Sequence, residues 1–155
     1  MCLIVDANRA GVVFRVPPTA DFKPLWRWLL GKKGRLVYGG QLAAELSSVG
    51  PAVRFLKEWR RTGRAVLANP GDVAAEVSEV SNHCRSDDAH VVALARVTGA
   101  RILCTEDSDL MTDFRNRRLV PPRGGKIYRR ARHAALFNPP ACGHCRGCHG
   151  PMKGS

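Results

Sequence analysis

Acidic residues are missing from the last part of this sequence: residues 114–155 contain ten lysines and arginines but no aspartate or glutamate. The preceding 113 residues carry all 13 acids together with 15 basic residues, so they are nearly balanced in charge. A balanced body followed by a strongly basic segment is typical of proteins that contact a polyanion such as nucleic acid. A segment that only improves solubility is the alternative. The basic segment lacks a clear amphipathic apolar face, which argues against a membrane surface as the partner.

Long hydrophobic runs are also missing, and none approaches the length of a membrane-spanning helix. The start of the chain has no basic stretch followed by an apolar stretch, which predicts that there is no secretory signal peptide. We therefore expect a cytoplasmic protein with reduced cysteine thiols and no membrane association. A chain of 155 residues with 45% hydrophobic content is large enough to bury a core in one compact domain.

Short apolar runs alternate with stretches of helical periodicity along most of the chain. The apolar runs predict strands at residues 2–5, 36–38, 65–68 and 101–104, with a last strand at Leu119-Val120. Strands that alternate with helices favour an α/β fold, in which helices cover both faces of a parallel sheet.

The periodic pattern is lost towards the end of the chain, where glycine, proline, arginine and cysteine become prominent. We therefore expect one domain over residues 1–122 and a basic extension with little core of its own over residues 123–155. Candidate contacts of this extension with nucleic acid are its basic side chains Arg123, Lys126, Arg129, Arg130 and Arg132.

Carboxylates stand where the apolar runs end. Asp6 follows the first run, and Asp107 lies shortly after the fourth. Because parallel strands point in one direction, their carboxyl ends gather at one edge of the sheet, where both acids should arrive. Asp88 opens an apolar helix of about 15 Å at the usual rise per residue, which is comparable with the depth of a short strand. The helix start, and Asp88 with it, should therefore lie at the same edge.

Carboxylates held close together repel one another, and a bound divalent cation removes that cost. Mg²⁺ and Mn²⁺ take oxygen ligands readily, activate water and stabilise charge on a scissile phosphate. Metal-dependent cleavage of phosphodiester bonds is therefore the predicted chemistry. The alternative for each acid is a helix cap or a surface charge. The acids do not separate RNA from DNA, because a contact with the 2′-hydroxyl is not visible in a sequence.

Four segments that carry these acids resemble the motifs of PIN-domain ribonucleases, particularly the small bacterial toxins, over residues 1–122. They are Leu3-Ile4-Val5-Asp6-Ala7-Asn8, the helix with Glu45, Asp88-Ala89-His90-Val91-Val92-Ala93-Leu94-Ala95, and Leu103-Cys104-Thr105-Glu106-Asp107-Ser108-Asp109-Leu110. Leu110 replaces the usual aromatic residue of the last motif. The resemblance implies a three-layer α/β/α sandwich, Mg²⁺ or Mn²⁺, and endonucleolytic cleavage of RNA.

The resemblance also implies roles for individual residues. The implied catalytic set is Asp6, Glu45, Asp88 and Asp107, and the implied metal ligands are Asp6, Asp88 and Asp107. Asn8, Thr105 and Asp109 are auxiliary, with Thr105 orienting a carboxylate or a water molecule. An antitoxin protein and a second copy of the chain are the candidate protein partners. A non-catalytic PIN-like RNA-binding module and a DNA nuclease of the same mechanism are the alternative functions.

Two further features are open to more than one interpretation. The cysteine- and histidine-rich segment near the end of the sequence offers a zinc ligand set in Cys142, Cys145, Cys148 and His149. The alternatives are a disordered basic tail, a haem-attachment string and a partial iron–sulfur pattern. Basic residues Arg54, Lys57, Arg60 and Arg61 form one face of a predicted helix, which is either a substrate track or a solvated surface. His90, on the buried helix, is expected to be structural.

Overall fold

The computed structural model describes residues 2–138, and five short strands in this range form one sheet. The strands are β1 (Cys2–Val5), β2 (Arg35–Tyr38), β3 (Ala65–Leu67), β4 (Ile102–Cys104) and β5 (Lys126–Ile127). All neighbouring strands are parallel and their order is β3-β2-β1-β4-β5. Helices flank the sheet, so the chain has the three-layer α/β/α architecture that the sequence predicted.

Seven α-helices connect and cover the strands in the described part of the chain. They are α1 (Ala7–Val13), α2 (Lys23–Leu30), α3 (Gly40–Leu46), α4 (Gly50–Arg61), α5 (Pro70–Val80), α6 (Ala89–Thr98) and α7 (Ser108–Arg115), with 3₁₀ helices at Ser81–His83 and Ala131–Phe137. Asn69 caps α5 by accepting hydrogen bonds from the backbone N–H groups of Gly71 and Asp72. Gly99 ends α6 in the left-handed conformation.

The core is centred on β1, whose four residues are all buried. Helix α6 is buried along most of its length, as its almost uniformly apolar sequence predicts. A cluster of aromatic rings joins α1, α2 and α4, with Trp26 lying 4.8 Å from Phe55 and 5.2 Å from Trp59 between ring centroids. Within the described residues, none of the helices has the length and apolar character that crossing a membrane requires.

The prediction of a last strand at Leu119-Val120 is wrong. Both residues are buried, but they lie in a turn that follows α7, and the fifth strand is Lys126–Ile127, which pairs with β4. The apolar pair is explained by packing against the core, since a buried turn needs apolar side chains as much as a strand does.

Residues beyond 122 contribute to the same core. Tyr128 is buried with its ring 6.0 Å from that of Phe22, and Phe137 stacks on Trp28 at 4.6 Å. The compact unit therefore extends past the boundary expected at residue 122, as far as the 3₁₀ helix that ends at Phe137. A two-residue strand and a 3₁₀ helix are too short to produce the periodicity on which that boundary was based.

Candidate active site

Asp6 and Asp107 lie where the strand order changes direction. The chain runs from β1 outward to β2 and β3, and then crosses back to place β4 on the other side of β1. In a sheet of this kind, the crevice at the carboxyl ends of the strands at such a point is the usual binding site. The backbone N–H of Asp6 donates to the carbonyl of Cys104 at 2.9 Å, which fixes the residue after β1 against the end of β4.

The carboxylate of Asp6 is buried, with 4% of the residue exposed. Its Oδ2 accepts a 2.7 Å hydrogen bond from the Thr105 hydroxyl. Burial raises the pKa of Asp6; the hydrogen bonds from Thr105 and from the Ala7 backbone lower it, and the Glu45 carboxylate raises it. Thr105 thus contacts one of the carboxylates of the predicted set.

Asp88 lies close enough to the other three predicted acids to be affected by their charges. It precedes α6, and its backbone N–H donates to the Ser86 hydroxyl at 3.3 Å. Burial raises the pKa of Asp88, the carboxylates of Asp6, Asp107 and Glu45 raise it further, and His90 lowers it. The charges of all three other acids therefore act on Asp88, although the four residues come from widely separated parts of the chain.

His90 belongs to the same cluster. One ligand atom each from Glu45, Asp88 and His90 lies within 4.8 Å of the other two, and His90 Nε2 is 3.3 Å from Glu45 Oε2. Only 3% of the His90 side chain is exposed. Its position on a buried helix predicted a structural histidine. A signal was present, since His90 is a polar residue within an apolar helix and lies two positions after Asp88.

Of the three acids that precede a helix, Asp6, Asp88 and Asp107, only Asp107 caps its helix through its side chain. Asp107 Oδ1 accepts from the backbone N–H groups of Asp109 and Leu110 at 2.9 and 3.1 Å, and so caps α7. Asp6 and Asp88 precede α1 and α6, but neither side chain makes a capping hydrogen bond. Capping therefore does not account for their positions. Asp109 is exposed in the first turn of α7.

Thr105 also holds the loop after β4 close to the start of α1. Its hydroxyl accepts from the backbone N–H of Asp107 at 3.1 Å and from Asn8 Nδ2 at 3.5 Å. Asn8 Oδ1 in turn accepts from the backbone N–H of Glu106 at 3.3 Å. The two auxiliary residues Asn8 and Thr105 therefore lie beside the acids and link the loops that carry Asp6 and Asp107.

Asp113 is a positioning residue that the sequence analysis missed. It is 2% exposed on α7, and its carboxylate accepts hydrogen bonds of 2.9–3.0 Å from the backbone N–H groups of Arg85 and Ser86. These residues form the loop that leads into Asp88. No local sequence pattern predicts this contact, because it joins residues 27 and 28 positions apart in the chain.

The five basic residues predicted to contact nucleic acid divide into two groups. Arg129 is half-buried and pairs with Glu106 at 3.0 Å, and Glu106 also pairs with Arg9 at 3.3 Å. The other side chains are exposed: Arg123, Lys126, Arg130 and Arg132. The predicted zinc ligands Cys142, Cys145, Cys148 and His149 lie outside the described residues.

The donor set of the cluster fits a hard divalent cation. It consists of carboxylate oxygens with one imidazole nitrogen. Burial first, and neighbouring carboxylates second, raise the pKa values of Asp6 and Asp88 and so disfavour their charged forms. A cation among them would reverse that effect. Mg²⁺ prefers an all-oxygen set, whereas Mn²⁺ also accepts imidazole. Comparisons with protein-family models, curated proteins and solved structures find nothing that matches this chain.

Proposed function

We propose that this protein is a metal-dependent endoribonuclease whose catalytic residues are Asp6, Glu45, Asp88 and Asp107. The supporting observation is that Asp6, Asp88 and Asp107 lie at the carboxyl edge of the sheet. Burial there, together with the carboxylates of Asp6, Asp107 and Glu45, raises the pKa of Asp88. The choice of RNA as substrate, and of a toxin with an antitoxin partner, comes from the resemblance of the sequence motifs to PIN-domain ribonucleases. The proposed cytoplasmic location comes from the sequence pattern at the start of the chain.

Asp6, Asp88 and Asp107 are the proposed ligands of Mg²⁺ or Mn²⁺, with Glu45 and His90 close enough to Asp88 to contribute. When bound, the metal supplies an activated water molecule and neutralises charge on the phosphate. The residues of the chain prepare this site.

Thr105 occupies one oxygen of Asp6 through its hydrogen bond and so fixes the direction of the other oxygen. Asp113 holds the loop before Asp88 through backbone hydrogen bonds. Exposed basic side chains after β4 are available to the phosphate backbone. Each of these groups would position a ligand or the substrate without itself reacting.

Two substrates of the same sequence, one RNA and one DNA, test the proposal. Each is incubated with the protein in Mg²⁺, in Mn²⁺ and with EDTA. We expect cleavage of the RNA with metal and none with EDTA. Asp88→Asn should abolish cleavage, whereas Asp87→Asn, an exposed carboxylate at the adjacent position, should not.

Cleavage that survives EDTA or Asp88→Asn contradicts the proposal. Cleavage of DNA alone would keep the mechanism and correct the substrate. An absence of cleavage under every metal, together with unchanged RNA binding by the acid variants, would favour the non-catalytic RNA-binding module. That alternative draws support from the exposed basic side chains and from the acid-free end of the chain.

A further inference from the structure

A groove of about 1060 Å³ lies between α3 and α4, away from the acidic cluster. Helix α4 lines one wall with a stripe at helical spacing, formed by Val53, Leu56, Lys57 and Arg60. The volume is at the upper end of the range for sites that enclose a small molecule. The groove is thus large enough for a segment of a polymer.

The rim of the groove is strongly basic. Five cations line it: Lys32, Lys57, Arg60, Arg61 and Arg64. Glu58 forms an ion pair with Arg61 at 2.7 Å. Within residues 2–138 the structure shows no ion pair for the other four, and Arg64 Nε is buried without a hydrogen-bond partner. A groove with so much unneutralised positive charge favours an anionic occupant.

The inner surface of the groove is apolar. Leu46 and Leu56 are buried in its lining, and Tyr38 lies at the end of β2. Val53 is 44% exposed, which is unusual for a large hydrophobic residue in this protein. The exposed Val53 beside these cations matches single-stranded nucleic acid, whose phosphates would meet the cations and whose bases would pack on the apolar side chain.

Helix α3 connects the groove to the acidic cluster. Ala43, Leu46 and Ser47 of this helix line the groove, while Glu45 of the same helix contacts His90. A strand of RNA that lies in the groove would therefore pass beside the helix that carries one of the proposed catalytic acids.

We propose that the groove between α3 and α4 binds a single-stranded segment of the RNA substrate and directs it towards the acidic crevice. This inference rests on the proposed ribonuclease function. It adds a substrate-binding surface to that function, and it assigns Lys57 and Arg60 to phosphate contacts. Their side chains are exposed in the groove, so that both are accessible to a ligand.

The test uses the full-length protein and a fluorescent single-stranded RNA, with anisotropy measured in EDTA at several salt concentrations. The double variant Lys57→Ala/Arg60→Ala should reduce the slope of log affinity against log salt by about 1.4, since each contact with single-stranded nucleic acid contributes about 0.7. If the variant and the wild type bind equally at 1 M salt, this change of slope corresponds to about 25-fold weaker binding by the variant at 0.1 M salt. The matched control is Arg15→Ala/Lys23→Ala, which removes one exposed arginine and one exposed lysine outside the groove and outside α4.

An unchanged slope in the groove variant, or an equal loss in the control, overturns the inference. An acidic, leucine-containing peptide is tested in parallel, because its charge and apolar side chains match the same surface. If the groove variant loses the peptide but keeps RNA affinity, the groove binds protein and the inference fails.

Cleavage in Mn²⁺ is measured separately, so that the two proposals fail in different ways. Wild-type cleavage with normal RNA binding by the groove variant would leave the ribonuclease function in place and remove the groove from it. If RNA binding depends on the groove but no metal supports cleavage, the groove remains an RNA-binding surface and the ribonuclease function is refuted.

Discussion

Replacing Asp88 by asparagine should abolish cleavage and, at the same time, make the metal-free protein more stable at neutral pH. The charge of Asp88 is disfavoured in the folded state by burial and by the three neighbouring carboxylates. Asparagine is nearly the same size and removes that charge. No helix-capping bond is lost, because the Asp88 side chain makes none. Residues that bind a ligand are often unfavourable for folding, and the proposed role of Asp88 as a metal ligand is consistent with this.

Burial and the Asp6 carboxylate contribute more to the raised pKa of Asp88 than Glu45 does, so the repulsion from Glu45 gives only one part of the effect. The ligand oxygen of Glu45 lies within 4.8 Å of that of Asp88. At this separation, two like charges repel by about 1 kcal/mol at the dielectric constant of water and about 2 kcal/mol at half that value. The lower end of the range is favoured because 33% of the Glu45 side chain is exposed. For a chain of this size, each kcal/mol raises Tm by about 2–4 °C.

The gain in stability from Asp88→Asn should decrease as the pH is lowered. Because the pKa of Asp88 is raised in the folded state, the folded protein holds its proton to higher pH than the unfolded chain does. The penalty is therefore fully present above the folded pKa and absent below the unfolded value of about 3.9. The Tm difference between the variant and the wild type should accordingly vanish as the pH is lowered below about 4.

Scanning calorimetry in EDTA measures the Tm of both proteins, and a second series contains Mn²⁺. The metal should stabilise the wild type, by about 2.7 kcal/mol at a concentration of 100 Kd, but not the variant. Asp107→Ala serves as the contrast, since it removes the cap of α7 and should cost about 1 kcal/mol. A lower metal-free Tm for Asp88→Asn than for the wild type would refute the reasoning.

Two further substitutions test the residues that position the acids. Thr105→Val removes the hydrogen bond to Asp6, so stability should fall by about 1 kcal/mol and the acid limb of the pH–activity profile should move to higher pH; an unmoved limb would exclude this role. Asp113→Asn weakens the carboxylate's bonds to the backbone N–H groups of Arg85 and Ser86 and should cost about 1–3 kcal/mol in urea unfolding, with weaker Mn²⁺ binding in calorimetry. Normal Mn²⁺ affinity in that variant would show that Asp113 supports the fold but not the site.

The sequence predicted most of the sheet because four of its strands are short apolar runs followed by polar residues. The fifth strand was missed because Lys126–Ile127 is only two residues long and follows a segment rich in proline and glycine. Its formation depends on pairing with β4, which is a tertiary contact that local periodicity does not report.

Within the candidate site, strand direction alone placed Asp6 and Asp107 at the same edge, and helix length placed Asp88 there. Glu45 was assigned by the PIN resemblance, because its contacts depend on how α3 packs against α6. His90 and Asp113 were missed for the same reason: their roles follow from neighbours that are distant in sequence. The positions of the acids at the sheet edge were therefore more predictable than the side-chain contacts that hold the surrounding loops.

The strand β1 is synthesised first and lies at the centre of the finished sheet, where β4 forms its second neighbour. Until residues 102–104 have emerged and paired, a growing chain has neither Asp107 beside Asp88 nor Thr105 beside Asp6. The pairing that closes the centre of the sheet therefore also completes the acidic cluster. If the proposed activity is correct, a nascent or truncated chain would be unable to cut RNA, and the ribosome that makes the protein would be exposed only to a harmless precursor.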